Sequence, residues 1–496
     1  MSDTGLYDLA VIGAGPGGYH AAIRAAQYGA KVALIEKKNL GGTCLNWGCI
    51  PTKALYASAE LIQKLREHGE AFGVSCDPNL NFAKAVERKN NVVKELTEGI
   101  ASLEKAWKND VYIGHGKIIG GNATNGFDIS IEGKDTQTIK AKRVIIATGS
   151  SPALIPAFNI DHDRVLTSDD ILHPDFKIVP KKLLIIGAGV IGCEFANIFT
   201  TFGSKVVMLE YLPSPIATEE PMIVKELQKK LDSMGVEIKV SQNVLSVENT
   251  GSGVKATTCS ADIPREQVDS AEKSYFEADY CLVSIGRARE SSNLGLEELG
   301  IEMMRGAIKI DTKTAETPVK GIYAIGDVSA SGAPMLAHVA SYMGDIAVAN
   351  ALATIGGFPV EERKTDYNII PATIFTSPNI GSVGLRRKQA KDLGIDLLMG
   401  RFPYVSLGKA KCMAEDDGFL MILADKDTHK IVGASCIGAE ASELIAEIAV
   451  AMQHNLTVHD LTEVIHSHPT ISEMVLEAAE DVFGMAIHRK GRPVFH

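Results

Sequence analysis

The sequence has few cysteines, no excess of positive charge and no long apolar run, and each absence excludes a class of protein. Eight cysteines among 496 residues are too few for a disulfide scaffold and favour a reducing compartment. The formal charge of −11 argues against nucleic acid or an anionic membrane surface as a partner. No apolar run approaches the roughly 20 residues of a membrane span, and no charged-then-apolar leader precedes Tyr7. We therefore expect a soluble, cytoplasmic protein.

What remains is the composition of a large globular protein. Apolar residues make up 45% of the chain and charged residues 22%, which is enough for an extensive core. At about 150 residues per domain, the length predicts three or four domains. Function must therefore be inferred from local motifs.

A dinucleotide-binding fingerprint stands near the start of the chain. An apolar run at 9–12 leads into a glycine turn, an alanine-rich helical stretch and a second strand at 31–35. The first glycine makes the turn, the second lets the backbone approach a pyrophosphate, and the third lets helix and strand pack closely. The terminal acid can accept hydrogen bonds from ribose hydroxyls. The residues concerned are Gly13, Gly15, Gly18 and Glu36.

The same plan recurs at a constant offset of 174 residues, with Gly187, Gly189, Gly192 and Glu210. Two such units predict two dinucleotides, or one dinucleotide and a flavin. A carboxylate at Glu210 favours a free 2′-hydroxyl and repels a 2′-phosphate. The second site should therefore prefer NAD over NADP.

Two shorter elements extend this architecture. One is an apolar strand at 143–146 that runs into Thr148 and Gly149, and the other is a strand near 321–326 that ends at Asp327. Ligands of parallel sheets gather at the carboxyl ends of strands. Taken alone, either element is equally typical of an ordinary strand and turn.

A pair of cysteines, Cys44 and Cys49, lies between the two units. Five residues of regular helix would separate their Cα atoms by roughly 7.5 Å along the axis, whereas a disulfide needs about 4.4–6.8 Å. The segment must therefore be distorted if the pair closes. Its glycines supply that freedom: Gly41, Gly42 and Gly48.

Two other interpretations of the pair remain open at this point. Cysteine is among the most buried residue types, so Cys44 and Cys49 are also compatible with inert thiols near a helix start. Structural zinc prefers shorter spacings and further cysteine or histidine ligands nearby, and none lie close in sequence. We expect no metal site.

Taken in order, these motifs resemble those of the pyridine nucleotide–disulfide oxidoreductases from one end of the chain to the other. The segments that carry the resemblance are the two glycine units, GGTCLNWGCIPTK, ATGS, SIGR, GIYAIGDV and HSHPTISE. The family implies an α/β fold with two Rossmann-like FAD- and NAD-binding domains and an α+β C-terminal dimerisation domain. The expected boundaries are 1–152 for FAD, 153–282 for NAD, 283–355 for the return to the FAD domain, and 356–496 for dimerisation.

The resemblance assigns FAD to the first glycine unit and NAD to the second. It implies that Lys53 lies near N5 of the flavin, Asp327 at its ribityl or phosphate region, and Ala337 beside the ring. Val244 and Gly286 fall where the family contacts NAD. The complete implied set of cofactor-binding residues is Gly13, Gly15, Gly18, Glu36, Lys53, Gly116, Thr148, Gly149, Asp327, Ala337, Gly187, Gly189, Gly192, Glu194, Glu210, Val244 and Gly286.

The resemblance also implies the catalytic residues. Cys44 and Cys49 form a redox-active disulfide, with Cys44 facing the substrate and Cys49 the flavin. His468 acts as a base that reaches the site from the opposite subunit of a homodimer, and Glu473 orients it. We expect Pro469 to mark the entry to the helix that carries Glu473.

Within the family, the pattern is most similar to members that oxidise dihydrolipoamide and reduce NAD⁺. The implied partner is a lipoyl domain of a 2-oxo acid dehydrogenase or glycine cleavage complex. Glutathione-type reductases are an alternative, although they usually require NADP, which Glu210 disfavours. Reductases with an added C-terminal cysteine pair are excluded because the last cysteine is Cys436. A non-catalytic flavoprotein scaffold is the remaining alternative.

The sequence departs from the usual family pattern in three places. These are Ala288 to Glu290, Val339 to Gly344, and Leu407 to Lys409. They bear on the substrate channel and on redox tuning rather than on the core chemistry.

Overall fold

The computed structural model describes residues 5–76, 78 and 80–491. Residues 1–4 and 492–496, at the outer ends of the first and last predicted domains, lie outside the described residues. The first region contains, in chain order, β1 (Tyr7–Ile12), α1 (Pro16–Gln27), β2 (Val32–Glu36), α2 (Gly42–Trp47), α3 (Cys49–His68), α4 (Phe82–Ala106), β3 (Asp110–Asn122), β4 (Gly126–Gly133), β5 (Gln137–Ile146) and β6 (Ser150–Pro152).

The second region is a parallel sheet flanked by helices, with a small antiparallel sheet attached. The elements are β7 (Val165–Leu166), α5 (Ser168–Ile171), β8 (Lys182–Ile186), α6 (Val190–Thr201), β9 (Lys205–Leu209), α7 (Pro221–Ser233), β10 (Glu237–Lys239), β11 (Gln242–Asn249), β12 (Val254–Ser260), β13 (Ser274–Ala278) and β14 (Tyr280–Val283). The parallel sheet has the strand order β10-β9-β8-β14-β7, and β11, β12 and β13 form the attached sheet.

The chain then returns to the first sheet. The returning elements are β15 (Arg287–Arg289), β16 (Met303–Met304), β17 (Ala307–Ile308), β18 (Ile322–Ala324) and α8 (Ala337–Ile355). A two-stranded pairing of β6 with β15 connects the two regions, and β18 joins the first sheet beside β5.

This return explains why distant motifs meet. In the first sheet, Ile12 of β1 is paired with Ile146 of β5, and Ile146 is paired with Ala324 of β18. All three strands are parallel, so their carboxyl ends lie at one edge. The glycine turn, the turn after β5 and Asp327 therefore surround a common space.

The last region is an antiparallel sheet of order β19-β20-β23-β22-β21. Helices α11 and α13 pack on it, while side chains such as Phe419 and Ile437 join a core shared with the second region. The elements are β19 (Ala372–Ile374), β20 (Asn379–Gly384), α9 (Arg387–Asp392), β21 (Leu397–Pro403), α10 (Gly408–Met413), β22 (Phe419–Asp425), β23 (Ile431–Gly438), α11 (Ala441–Gln453), α12 (Val458–Thr462) and α13 (Glu473–Asp481).

The predicted fold class is confirmed: a unit with a mixed, largely parallel sheet and a unit with a parallel sheet are followed by an α+β region. One local prediction is wrong. Pro469 does not mark a helix entry, because α13 begins only at Glu473 and the His468–Pro469 peptide bond is cis. Among the described residues, no helix is both long and apolar enough to span a membrane.

Two adjacent ion pairs fasten the second region to the last one. Arg386 contacts Glu219 at 3.0 Å, and Arg387 contacts Glu220 at 3.0 Å. The Glu220 side chain is only 1% exposed. Burying that carboxylate is favourable only because Arg387 neutralises it, so the two regions are held in a defined orientation.

Candidate active site

In the first glycine turn, two positions are packed too closely to accept a side chain, and the third has free space around it. A Cβ on Gly13 would lie 2.5 Å from the Ala147 carbonyl oxygen, and one on Gly18 would lie 1.8 Å from the Gly13 oxygen. On Gly15 the nearest atom would be Gly42 Cα at 4.0 Å. This pattern fits a turn whose middle glycine is approached by a ligand.

The second turn repeats the pattern. A Cβ on Gly187 would lie 2.6 Å from the Ser284 oxygen, and one on Gly192 would lie 2.1 Å from the Gly187 oxygen. Around Gly189 there is nothing within 4 Å. The N-terminus of α6 therefore opens onto free space, where unpaired N–H groups favour a phosphate.

The two predicted ribose acids also hold these turns together. Glu36 accepts hydrogen bonds of 2.8 Å from the backbone N–H of Ala14 and of Lys38. Glu210 repeats the arrangement, accepting at 2.6 Å from Ala188 and at 2.7 Å from the residue two positions after itself. This structural role was missed from the sequence, although the constant offset of the two acids was a signal of it.

A buried hydroxyl without a partner faces the edge where β5 ends. Thr148 Oγ1 is buried and makes no hydrogen bond, and Gly149 beside it adopts φ 71°. An unsatisfied buried polar group is costly unless a ligand completes it. The Thr148 hydroxyl and the open glycine faces therefore fit a bound dinucleotide.

Gly116 sits deeper than the other predicted cofactor residues. A Cβ there would lie 3.1 Å from Ile35 and 3.2 Å from Ile12. The structure thus gives Gly116 a packing role beneath the first glycine turn. Its cofactor contact stays a prediction.

Asp327 is held by a short chain of hydrogen bonds. The Ser150 hydroxyl donates to Asp327 Oδ2 at 2.5 Å and accepts from Arg287 Nε at 2.7 Å. Arg287 also donates to the Ser150 carbonyl oxygen at 2.6 Å. Since a guanidinium can only donate, the serine hydroxyl must point at the carboxylate, which fixes its orientation.

The cysteine segment is broken at Gly48, as the predicted distortion requires. Helix α2 ends before Gly48, whose φ −141° and ψ −114° are not helical, and α3 begins at Cys49. A Cβ on Gly42 would lie 2.6 Å from Gly15 Cα. This close approach places the segment of Cys44 directly against the first nucleotide turn.

The two cysteines are free thiols in this structure, and their electrostatics differ. A hydrogen bond to Cys49, followed by burial, raises the pKa of Cys44 far above its usual value. The hydrogen bond from Cys44, with the charge of Lys53, outweighs desolvation and lowers the pKa of Cys49 to about 7. Cys49 is thus the sulfur that carries negative charge most easily.

Lys53 is paired with a glutamate from the second glycine unit. Its Nζ donates to both carboxylate oxygens of Glu194, at 2.9 and 2.8 Å, and lies 4.7 Å above the Phe375 ring. Glu194 is 3% exposed. The sequence grouped Glu194 with the second nucleotide site, whereas its carboxylate faces Lys53 and the dithiol. No local pattern signals a pair that is 141 residues apart.

The remaining predicted cofactor residues lie at element ends. Ala337 is the first residue of α8, and Val244 stands at a bulge in β11. Gly286 adopts φ 130°, and a Cβ there would have nothing within 4 Å. These positions are compatible with ligand contact, which remains a prediction.

His468 and Glu473 meet in the last region. His468 Nδ1 lies 2.9 Å from Glu473 Oε1, and the other oxygen accepts from the Thr470 N–H at 2.9 Å. Burial opposes ionisation of Glu473, but the Thr470 N–H and His468 outweigh it and lower its pKa. The His468 side chain is 77% exposed, so a base oriented by a carboxylate is presented at the surface.

The structure therefore brings the predicted residues together in two groups. The dithiol, Lys53 and both glycine turns form one group, and His468 with Glu473 forms the other. Among the described residues, the hydrogen bonds of His468 and Cys44 run to Glu473 and Cys49 and not to each other. Within one chain the second group does not complete the first.

The three departures from the family pattern occupy packed positions. Glu290 donates its N–H to the Gly149 oxygen at 3.0 Å on the link between the two sheets. A Cβ on Gly344 would lie 3.0 Å from the Gly17 oxygen, where α8 crosses α1. Leu407 is buried at the start of α10.

The chain matches known proteins along almost its whole length. The family model for pyridine nucleotide-disulphide oxidoreductases matches residues 7–344, and the model for their dimerisation domain matches residues 370–479. The chain is 40% identical over 477 residues to dihydrolipoyl dehydrogenase of Chlamydia trachomatis, covering 95% of this chain and 96% of the relative. It is 40% identical over 488 residues to dihydrolipoyl dehydrogenase of Bacillus subtilis, covering 97% and 99%.

Solved structures of two proteins are also similar to this chain over almost its whole length. LpdA from Mycobacterium tuberculosis has a TM-score of 0.85 at 27% identity, covering 95% of this chain and 98% of that chain. The HOCl-induced flavoprotein disulfide reductase RclA from Escherichia coli has a TM-score of 0.81 at 28% identity, covering 96% and 99%.

Proposed function

Because the chain belongs to the pyridine nucleotide-disulphide oxidoreductase family, we propose that it catalyses the dihydrolipoyl dehydrogenase reaction. It oxidises protein-bound dihydrolipoamide to lipoamide and reduces NAD⁺ to NADH. The observation that carries the proposal is the dithiol of unequal sulfurs, Cys44 and Cys49, packed against the first nucleotide turn beside Lys53. The identity to dihydrolipoyl dehydrogenases favours this reaction over glutathione reduction or a scaffold role.

FAD and NAD are the cofactors. When bound, FAD would supply two-electron chemistry between the dithiol and NAD⁺. The first glycine turn, with Thr148 and Asp327, would hold FAD, and the second turn with Glu210 would hold NAD. The open face at Gly189 would admit the NAD pyrophosphate.

The dithiol carries out the exchange with the substrate. A substrate thiol loses its proton to His468 and attacks Cys44, which breaks the Cys44–Cys49 bond and forms a mixed disulfide. Cys49 leaves as the thiolate that its lowered pKa favours. The second substrate thiol then displaces Cys44, which closes lipoamide and leaves two electrons in the enzyme dithiol.

His468 acts in the site of a partner subunit. Two apolar side chains that precede His468 are exposed in the single chain, Ile465 at 97% and Val464 at 46%. Ile487, which follows α13, is 76% exposed. Exposed apolar surface of this kind marks an interface, and the dimerisation-domain match supplies the partner as a second copy. The substrate is a lipoyl domain of a multienzyme complex, and the small number of cysteines, eight in 496 residues, favours a reducing, cytoplasmic setting.

The test is steady-state oxidation of dihydrolipoamide by the FAD-loaded protein with NAD⁺ and with NADP⁺. We expect turnover with NAD⁺ and a kcat/KM at least about 100-fold lower with NADP⁺, because Glu210 repels the 2′-phosphate. Cys49→Ser should abolish turnover while FAD stays bound, and Cys412→Ser, an exposed cysteine outside the pair, should change nothing. Turnover that survives Cys49→Ser would contradict the proposal.

A further inference from the structure

A second histidine–glutamate pair stands two residues before His468. His466 Nε2 lies 2.9 Å from Glu447 Oε1, and His466 Nδ1 lies 3.1 Å from the Val464 carbonyl oxygen. The His466 side chain is only 5% exposed, and Glu447 belongs to α11. His466 therefore connects the loop that carries His468 to a neighbouring helix.

The two partners of this ring hold it from both sides. Nδ1 of His466 faces a carbonyl oxygen of its own loop, and Nε2 faces a carboxylate of α11. Both partners are hydrogen-bond acceptors. The ring therefore links the loop of His468 to α11.

The loop also carries the pair that orients the base. Glu473 Oε1 lies 2.9 Å from His468 Nδ1, which leaves Nε2 of His468 to take a proton. The other oxygen of Glu473 accepts from the Thr470 N–H. The loop between His466 and α13 is therefore held at both of its ends.

We propose that His466 is a positioning residue, held between Val464 and Glu447, which fixes the loop of His468 and with it the contact of His468 with Glu473. The proposal rests on the proposed function, because His468 is the base only in that reaction. His466 touches no substrate, since its ring is almost wholly buried while its neighbour Ile465 is 97% exposed. It acts through the two residues that follow it.

His466→Gln tests the proposal because glutamine is neutral and still reaches Glu447. We expect the kcat for dihydrolipoamide oxidation to fall on the order of 10- to 100-fold, the cost of a catalytic group displaced by about 1 Å. Reduction of an artificial acceptor by NADH, which needs no base, should stay within about twofold. A loss of both reactions in equal measure would indicate a structural role only and would overturn the proposal.

Glu447→Gln tests the same link from the side of α11. A neutral amide holds the ring less strongly than a carboxylate, because hydrogen bonds to a charged acceptor are the stronger ones. The kcat for dihydrolipoamide oxidation should therefore fall as it does in His466→Gln, while reduction of the artificial acceptor by NADH stays within about twofold. Unchanged dihydrolipoamide oxidation in both variants would overturn the proposal.

Two further measurements keep the outcome unambiguous. His454→Gln and Glu443→Gln change exposed residues of α11 and its end, and both should behave as the parent protein does. Equal rates of dihydrolipoamide oxidation in the parent protein and in His466→Gln overturn this inference alone, whereas a parent protein inactive toward dihydrolipoamide overturns the proposed function.

Discussion

At the scale of single residues, the site depends on how unequal the two sulfurs are. Cys49 receives the hydrogen bond of Cys44 and the field of Lys53, whereas at Cys44 the hydrogen bond to Cys49 and burial outweigh the field of Lys53. Lys53 in turn is fixed by both oxygens of Glu194. A buried acid thus holds the lysine in place, and the lysine favours the thiolate that leaves during exchange.

This arrangement predicts a specific pH dependence for alkylation of the reduced dithiol. Iodoacetamide reacts with thiolates, and the lowered pKa of Cys49 means that its thiolate persists above about pH 7 and is lost below it. The rate of Cys49 alkylation, measured by mass spectrometry, should therefore fall as the pH falls through about 7. Lys53→Met removes one cause of the lowering and should shift the midpoint upward by about one unit.

Lys84→Met is the matched control, because Lys84 is an exposed lysine paired with Glu87 on α4. It should leave the midpoint where it is. If Lys53→Met and Lys84→Met gave the same midpoint, the charge of Lys53 would not be acting on Cys49.

At the scale of elements, the glycine turns divide into packing and binding positions. Gly192 is required by a backbone oxygen 2.1 Å from its missing Cβ, whereas Gly189 faces open space at φ −75°. Both positions are glycine, yet an added methyl group should impair NAD⁺ binding at Gly189 and folding stability at Gly192.

Gly189→Ala should leave the thermal midpoint unchanged, because an alanine adopts this backbone without strain. It should raise the KM for NAD⁺ by about tenfold or more, since the methyl group occupies the path of the pyrophosphate. Gly192→Ala should instead lower the thermal midpoint or prevent folding. An unchanged KM in Gly189→Ala would show that NAD does not approach this turn.

Much of the structure at the scale of elements was predictable from the sequence. The strands before Gly13 and Gly187, the acids after them and the distortion at Gly48 depend on local patterns, and the structure has them all. The pairing of Glu194 with Lys53 and the start of α13 at Glu473 were not predictable, because each depends on contacts made by the folded chain. The domain boundaries stay predictions.

At the scale of the whole molecule, one chain does not bring the proposed catalytic groups together. The dithiol belongs to the first region, and the exposed His468 belongs to the last. The ion pairs of Glu219 and Glu220 with Arg386 and Arg387 fix the last region against the second one. If His468 serves a partner subunit, as we propose, these ion pairs set the orientation in which it is presented.

A mixed dimer of two variants distinguishes whether His468 serves the site of its partner or the site of its own chain. One subunit carries Cys44→Ser and the other His468→Gln, and the mixed dimer is purified through two different tags. If His468 serves the partner, one site of the mixed dimer has every group intact, and about half the parent activity should return. If it serves its own chain, neither site is complete, and the mixed dimer should be as inactive as both parent variants.

The link between the two sheets has a thermodynamic consequence. Arg287 follows directly after Gly286 at the mouth of the second turn, and through Ser150 it sets the direction of Asp327 in the first. A nucleotide that displaced Arg287 at the proposed NAD site would therefore alter the carboxylate at the proposed FAD site. Because the coupling of binding free energies is reciprocal, the affinity for FAD would then change with NAD by the same factor as the affinity for NAD changes with FAD.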